Sequence, residues 1–412
     1  MKKIKNTIIA VVCLLLFASA CGRVSVDLGA PDAPAQEPDE TGDTITVVES
    51  APDRAGDLIP DGVLISTGSE DSLTFVDHSG AFVREIEAPG MITIDPEDVF
   101  IAGPILPDGP FPPVVFHSWT PDQALMVNTD GQITNVRESS TFLALIGAPG
   151  QDALAFSEVN LNADNFPHGF LYAATSTNLS STGPFYDLVD EPSYWALKPA
   201  GVQTVAGQAQ GVWYVKTAWG IGGADLIFPI NRGLFYFDLT SGDNQQVLDE
   251  GHSLQGISPG LTFAASVDAG NDENTALSVT DLASGQAIQF MLDPATDRGA
   301  GWAVFSPDDR YVAWLEATGS MISDPYDFHP RVRVGEVSSG GVVQAVEDTA
   351  VNQLLGSSAI TMMRPAGWLD NETLLIEVRD ADWGDVSLLR FDIPSGGLAP
   401  FSDGSFLAFG YQ

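Results

Sequence analysis

The chain has 412 residues, of which 55 are Asp or Glu and 17 are Lys or Arg, giving a formal net charge of −38. So acidic a body repels polynucleotides and bare anionic lipid, which argues against nucleic-acid binding and against electrostatic adhesion to a membrane. Only two cysteines are present, Cys13 and Cys21. A disulfide scaffold, a cysteine metal site and thiol redox chemistry are therefore not expected.

The N-terminus begins with the basic run Met1-Lys2-Lys3-Ile4-Lys5, continues through an apolar run from Ile8 to Phe17, and closes on Ala18-Ser19-Ala20-Cys21. A positive start, a short apolar core and small residues before a cut site make a secretory signal, too short for a comfortable permanent span. The tetrad Ala18-Ser19-Ala20-Cys21 resembles the lipobox of bacterial lipoproteins, with Ala18 where that family prefers Leu. The resemblance implies removal of residues 1–20, acylation of Cys21, and an extracytoplasmic protein lipid-anchored to the cell membrane or outer membrane. Residues 21–60 are rich in Pro, Gly and acid and show no apolar period. They read as a disordered tether, because such a segment buries too little to offset its ordering entropy. Ile45-Thr46-Val47-Val48 is the one strand-like run within it.

From residue 61 to 412 the texture is that of one all-β domain. Short apolar or alternating runs sit between Gly, Asp, Asn, Ser and Pro turns, with no long run at helical spacing. Gly62–Ser66, Ser72–Val76 and Ala81–Ile86 make a three-stranded meander, and versions of it recur. One recurring fragment is a strand, a turn and an alternating strand, clearest in Ala303-Val304-Phe305-Ser306-Pro307-Asp308-Asp309-Arg310-Tyr311-Val312-Ala313-Trp314-Leu315 and repeated around Ser258-Pro259 and Leu369-Asp370. A second is a strand ending in Asp four residues before a Gly, at Asp238, Asp281 and Asp392. Units of this kind, each a four-stranded antiparallel meander, predict a six- or seven-bladed β-propeller with starts near residues 61, 95, 141, 196, 252, 299 and 350. The final run Ser405–Gly410 is placed to complete the first blade and close the ring. The fragments resemble the TolB-type and WD-repeat-like β-propellers of bacterial envelope proteins. Ser306-Pro307-Asp308-Asp309-Arg310 matches that blade signature except for Asp309, where Gly is usual. The resemblance implies a fold and leaves activity open.

Chemistry is sparse. Gly256-Ile257-Ser258-Pro259-Gly260 has the spacing of a nucleophile elbow, but a second strand follows where a helix is required, so it reads as a turn. The five histidines, His78, His117, His168, His252 and His329, show no metal-ligand spacing. Asp380, Asp382 and Asp385 bring several oxygens together in one loop and are the candidate Ca²⁺ ligands, though the loop reads first as a plain hairpin. A second acidic loop runs from Asp268 to Asn274. No other cofactor is called for. Loop aromatics and a histidine form the candidate ligand surface: Tyr186, Tyr194, Trp195, Trp219, Tyr326, His329 and Trp383, with Trp213 and Tyr214 as further wall residues. The alternative for each ring is a place in a blade-to-blade seam. Two functions follow. The first is a monomeric, membrane-anchored binding or scaffold module for a protein, peptide or glycan. The second is a propeller-type glycosidase or lyase that uses facing channel carboxylates. An acid-free channel favours the binder.

Overall fold

The computed structural model describes residues 58–67, 72–87, 94–102, 112–119, 122–130, 132–138, 142–161, 167–188, 195–218, 228–269, 275–319, 327–357, 359–380 and 386–411. The leader, Cys21 and the tether up to residue 57 lie outside them. The described residues form seven four-stranded antiparallel sheets, so the propeller has seven blades. The strands nearest the axis are Ser405–Gly410, Ile94–Ile101, Phe142–Gly147, Trp195–Val205, His252–Ile257, Ala300–Phe305 and Ile360–Trp368, for blades 1 to 7 in turn.

Closure is made by the C-terminal strand. Blade 1 takes its inner strand from Ser405–Gly410 and its other three from Gly62–Ser66, Ser72–Asp77 and Phe82–Glu87. The register pairs Gly62 with Gly410 and Ser66 with Ser405, and the Asp61 amide donates to the Gly410 carbonyl at 2.7 Å. Both ends of the domain therefore meet at one mouth of the axial channel.

The core is distributed. Each of the seven blade interfaces holds its own buried apolar cluster, as the alternation of every strand requires when both sheet faces are covered. Leu64, Phe75, Val114 and Phe116 fill the seam between blades 1 and 2, and Val267, Leu277, Phe305 and Trp314 fill the one between blades 5 and 6. Trp213 and Tyr214, read above as wall residues, are buried in seams at 3% and 1% exposure. Among the described residues one helix departs from the all-strand pattern, Asp348–Leu355 between blades 6 and 7, closed by Gly356 at φ +70°.

Backbones approach closely near the axis. A side chain on Gly256 would stand 1.9 Å from the Ala303 carbonyl oxygen of the neighbouring inner strand. Gly256→Ala is expected to lower stability by about 2 kcal/mol by forcing these strands apart, with thermal unfolding as the measurement.

Candidate functional site

The turn from inner to second strand builds one mouth of the channel. In blade 6, Ser306 is fully buried; its hydroxyl donates to Asp308 Oδ1 at 2.7 Å and accepts from the Tyr311 amide at 2.9 Å. In blade 5, Ser258 Oγ accepts from the Thr262 and Phe263 amides, both at 3.0 Å. Ser258 is thus the buried cap of a turn, as its sequence context predicts, and has no nucleophile's exposure. In each turn the proline after the serine projects into the mouth. There Pro259, Pro307, Ile257, Val304, Trp368, Phe409 and Tyr411 line a pocket of about 170 Å³, with Leu58 of the incoming chain in its wall. The Trp368 indole N–H donates to the Val304 carbonyl at 3.2 Å, fixing that ring across blades 6 and 7.

Deeper along the same two inner strands stand Trp302 and Arg364. Trp302 occupies a bulge at φ +55°, a conformation that costs a bulky residue on the order of 1–3 kcal/mol. The Arg364 guanidinium lies 4.8 Å above its ring and reaches Glu377 Oε1 at 3.5 Å. Glu377 Oε2 in turn accepts the Phe406 amide at 2.9 Å, which joins blade 7 to the closing strand.

The inner strands of blades 1, 3, 4, 5, 6 and 7 contribute no Asp or Glu at all. Their ionisable residues are Lys198, His252 and Arg364. Ile94–Ile101 of blade 2 carries Asp95, Glu97 and Asp98, whose side chains lie outside those described.

Asp309 sits at the rim of the mouth in left-handed backbone at φ +58°. Burial pushes its carboxyl up to about 6, although hydrogen bonds from the Thr262 and Ser258 hydroxyls pull the other way.

At the opposite end of the channel the predicted ligand residues are only partly visible. Trp195 is half-buried under the Arg232 guanidinium, 4.8 Å from its ring centre. His329 is exposed and meets Asp348 Oδ2 through Nδ1 at 2.8 Å, beside the start of the helix. Tyr186 instead packs 5.5 Å from both Tyr214 and Phe237 in the seam of blades 3 and 4. The three are not brought together by any contact among the described residues. Tyr194, Trp219, Tyr326, Trp383, Asp382 and Asp385 lie outside the described residues, as does the loop from Gly270 to Asn274. Asp380 ends the strand Thr373–Asp380, with its backbone opposite Ile360. No group of three metal-ligating side chains occurs among the described residues.

Sequence reasoning missed the buried carboxylates. Glu158, Glu316 and Glu377 each lie on the second strand of their blade, and each binds an arginine: Arg137, Arg333 and Arg364 respectively. Arg137 comes from blade 2 to Glu158 of blade 3, and its guanidinium also lies 4.4 Å from the Tyr172 ring. The available signal was a lone Glu in an otherwise apolar strand, as in Val312-Ala313-Trp314-Leu315-Glu316-Ala317.

No protein-family model matches this chain, and no curated protein matches it. Solved structures do. A prolyl endopeptidase structure aligns at 12% identity and a TM-score of 0.50, covering 84% of this chain and 51% of that one. The chain thus spans about half the length of that peptidase. An oligogalacturonate lyase in complex with manganese aligns at 12% identity and a TM-score of 0.46, covering 71% of this chain and 74% of that one. The oligogalacturonate lyase of Vibrio parahaemolyticus gives 9%, 0.46, 83% and 86% in the same order. At these identities the likeness is one of fold.

Proposed function

We propose that this protein is a lipid-anchored extracytoplasmic binding module, whose propeller holds a protein, peptide or glycan ligand without transforming it. The observation that carries the reading is the character of the channel. Apolar side chains line its mouth, and six of its seven inner strands supply no carboxylate. Hydrolysis of a glycosidic bond requires two acids facing each other across the substrate. One buried carboxylate behind the inner strands is committed to structure. Glu377 is 1% exposed and bound to Arg364 and the Phe406 amide.

The anchor rests on the tetrad ending in Cys21. Two or more acyl chains hold a protein stably where a single chain does not. Both halves of the reading are tested with Cys21→Ala. The variant is expected to move from the membrane fraction to the soluble extracytoplasmic fraction with its thermal unfolding unchanged. On peptide and glycan arrays the released protein is expected to bind saturably and to leave its ligand intact. Retention in the membrane overturns the anchor, and release of cleaved sugar or peptide overturns the binder.

A further inference from the structure

We propose that Asp309 is a proton-operated seal of the channel mouth: neutral, it lets the turns of blades 5 and 6 pack against each other with Leu58 beside them, and ionised, it draws in water, parts the two turns and loosens Leu58 from the pocket. This device depends on neither the anchor nor the ligand class.

Three observations at one place carry it. Asp309 Oδ1 is buried with no hydrogen-bond partner in the structure, a cost that falls mainly on the ionised form. The second oxygen is wedged against the neighbouring turn. The position a Cβ of Gly260 would occupy lies 3.4 Å from Asp309 Oδ2, 3.3 Å from Thr262 Oγ1 and 4.0 Å from Leu58 Cδ1. Leu58 is itself wall of the apolar pocket. One carboxyl of the blade 6 turn therefore touches the blade 5 turn, and Leu58 of the entering chain packs beside the same Gly260.

The charges around it reinforce the effect. On its own turn, Asp308 stands next to it and raises it further, while Arg310 is turned onto Glu336 at 3.3 Å and Tyr311 at 4.7 Å. The blade 5 turn from Ser258 to Thr262 carries no charged residue. The entering segment brings Asp61, whose own carboxyl is raised by burial and partly held down by His78. From the C-terminal side Tyr411 brings a phenol that burial pushes up.

A carboxyl raised from 3.8 to about 6 in the closed mouth favours the closed mouth when protonated. The contribution to closure is complete below about pH 4 and is lost as pH rises through about 6. Each unit of difference is a factor of ten, so the closed-to-open ratio falls by up to about 100-fold over that interval.

Hydrogen exchange on the full chain in detergent, between pH 4 and 7.5 and corrected for the intrinsic pH dependence of exchange, reads this directly. Protection of the Asp61, Leu261 and Thr262 amides is expected to fall by up to about 100-fold, dropping from about pH 4 and levelling off near pH 6, while amides of blades 2 and 3 stay level. Asp309→Asn is expected to give high protection at every pH, since Asn is at home in left-handed backbone. Asp309→Gly, which fits the same backbone, is the second variant and is expected to remove the step also. A wild-type profile without a step, or the same step retained in either variant, overturns the proposal.

Discussion

Truncation after Gly404 is expected to abolish the folded monomer. The deleted strand Ser405–Gly410 is the inner strand of blade 1, and without it Gly62–Ser66 becomes an unpaired edge facing the channel. Two seams lose their filling together. Phe406 and Phe409 leave the interface of blades 7 and 1, while Leu407 and Ala408 leave that of blades 1 and 2. The Phe409 ring also occupies the space above Gly367, where a Cβ would lie 2.2 Å from it. Three large apolar side chains at roughly 1.5–3 kcal/mol each amount to about 5–9 kcal/mol. Glu377 loses the Phe406 amide as well, and a buried carboxylate short of a donor costs about 1–3 kcal/mol more. The total is comparable with the roughly 5–15 kcal/mol that holds a whole domain. Size-exclusion chromatography should therefore show aggregate, and circular dichroism no cooperative transition. A truncated protein that stays monomeric and melts within a few degrees of the intact one would show that blade 1 closes the ring with three strands.

Such closure was readable in the sequence because its signals are local. Asp238, Asp281 and Asp392 each stand four residues before a Gly, and the structure gives the reason. The Asp side chain takes amides of the turn, as Asp238 Oδ1 does from Thr240 at 2.7 Å and Ser241 at 2.9 Å. The Gly amide then returns to the Asp carbonyl in left-handed backbone, at φ +81°, +70° and +67°. The buried Ser258 and Ser306 caps belong to the same class. So does Asp309, whose departure from the usual Gly is accommodated at φ +58° and leaves a carboxyl where Gly would leave none. The predicted starts near residues 95, 141, 196, 252 and 299 fall within one residue of inner strands, because turn chemistry marks them. The start near 350 falls ten residues early, since Asp348–Leu355 is a helix of two turns, too short to show a period in sequence. What the chain did not disclose is long-range. Glu316 and Arg333 are 17 residues apart, and Arg137 and Glu158 are 21 apart. Nothing in either segment alone says that stacking blades in a ring will bring them together. For the candidate ligand surface the limit is different. Trp195, Tyr186 and His329 were legible as aromatic or polar residues near loops, but only three-dimensional packing distinguishes the seam of Tyr186 from the exposed His329.

Glu316→Leu is expected to be the most damaging single substitution within the blades. The carboxylate is fully buried and gathers donors from three segments: Trp314 Nε1 at 2.9 Å, Thr296 Oγ1 at 3.1 Å, Arg333 at 3.1 and 3.3 Å, and the Asp293 amide at 3.3 Å. Arg333 is 16% exposed, so it finds little water once its partner is gone. Breaking a buried pair from one side costs about 3–5 kcal/mol, chiefly because the remaining charge is stranded. The neighbouring pair of Arg331 with Asp293, at 2.8 Å, is more exposed and its loss should cost far less. The distinction between stranded charge and lost attraction is testable by a second change. In Glu316→Leu with Arg333→Met no charge remains unpaired, and the double variant is expected to recover a large part of what the single one loses. Denaturant midpoints of the single and double variants provide the comparison. Because the pair is shielded from solvent, added salt should leave the difference between them nearly unchanged. A double variant as unstable as Glu316→Leu alone would place the cost in the orphaned Trp314 and Thr296 donors instead, and would make this carboxylate a hydrogen-bond hub first and an ion partner second.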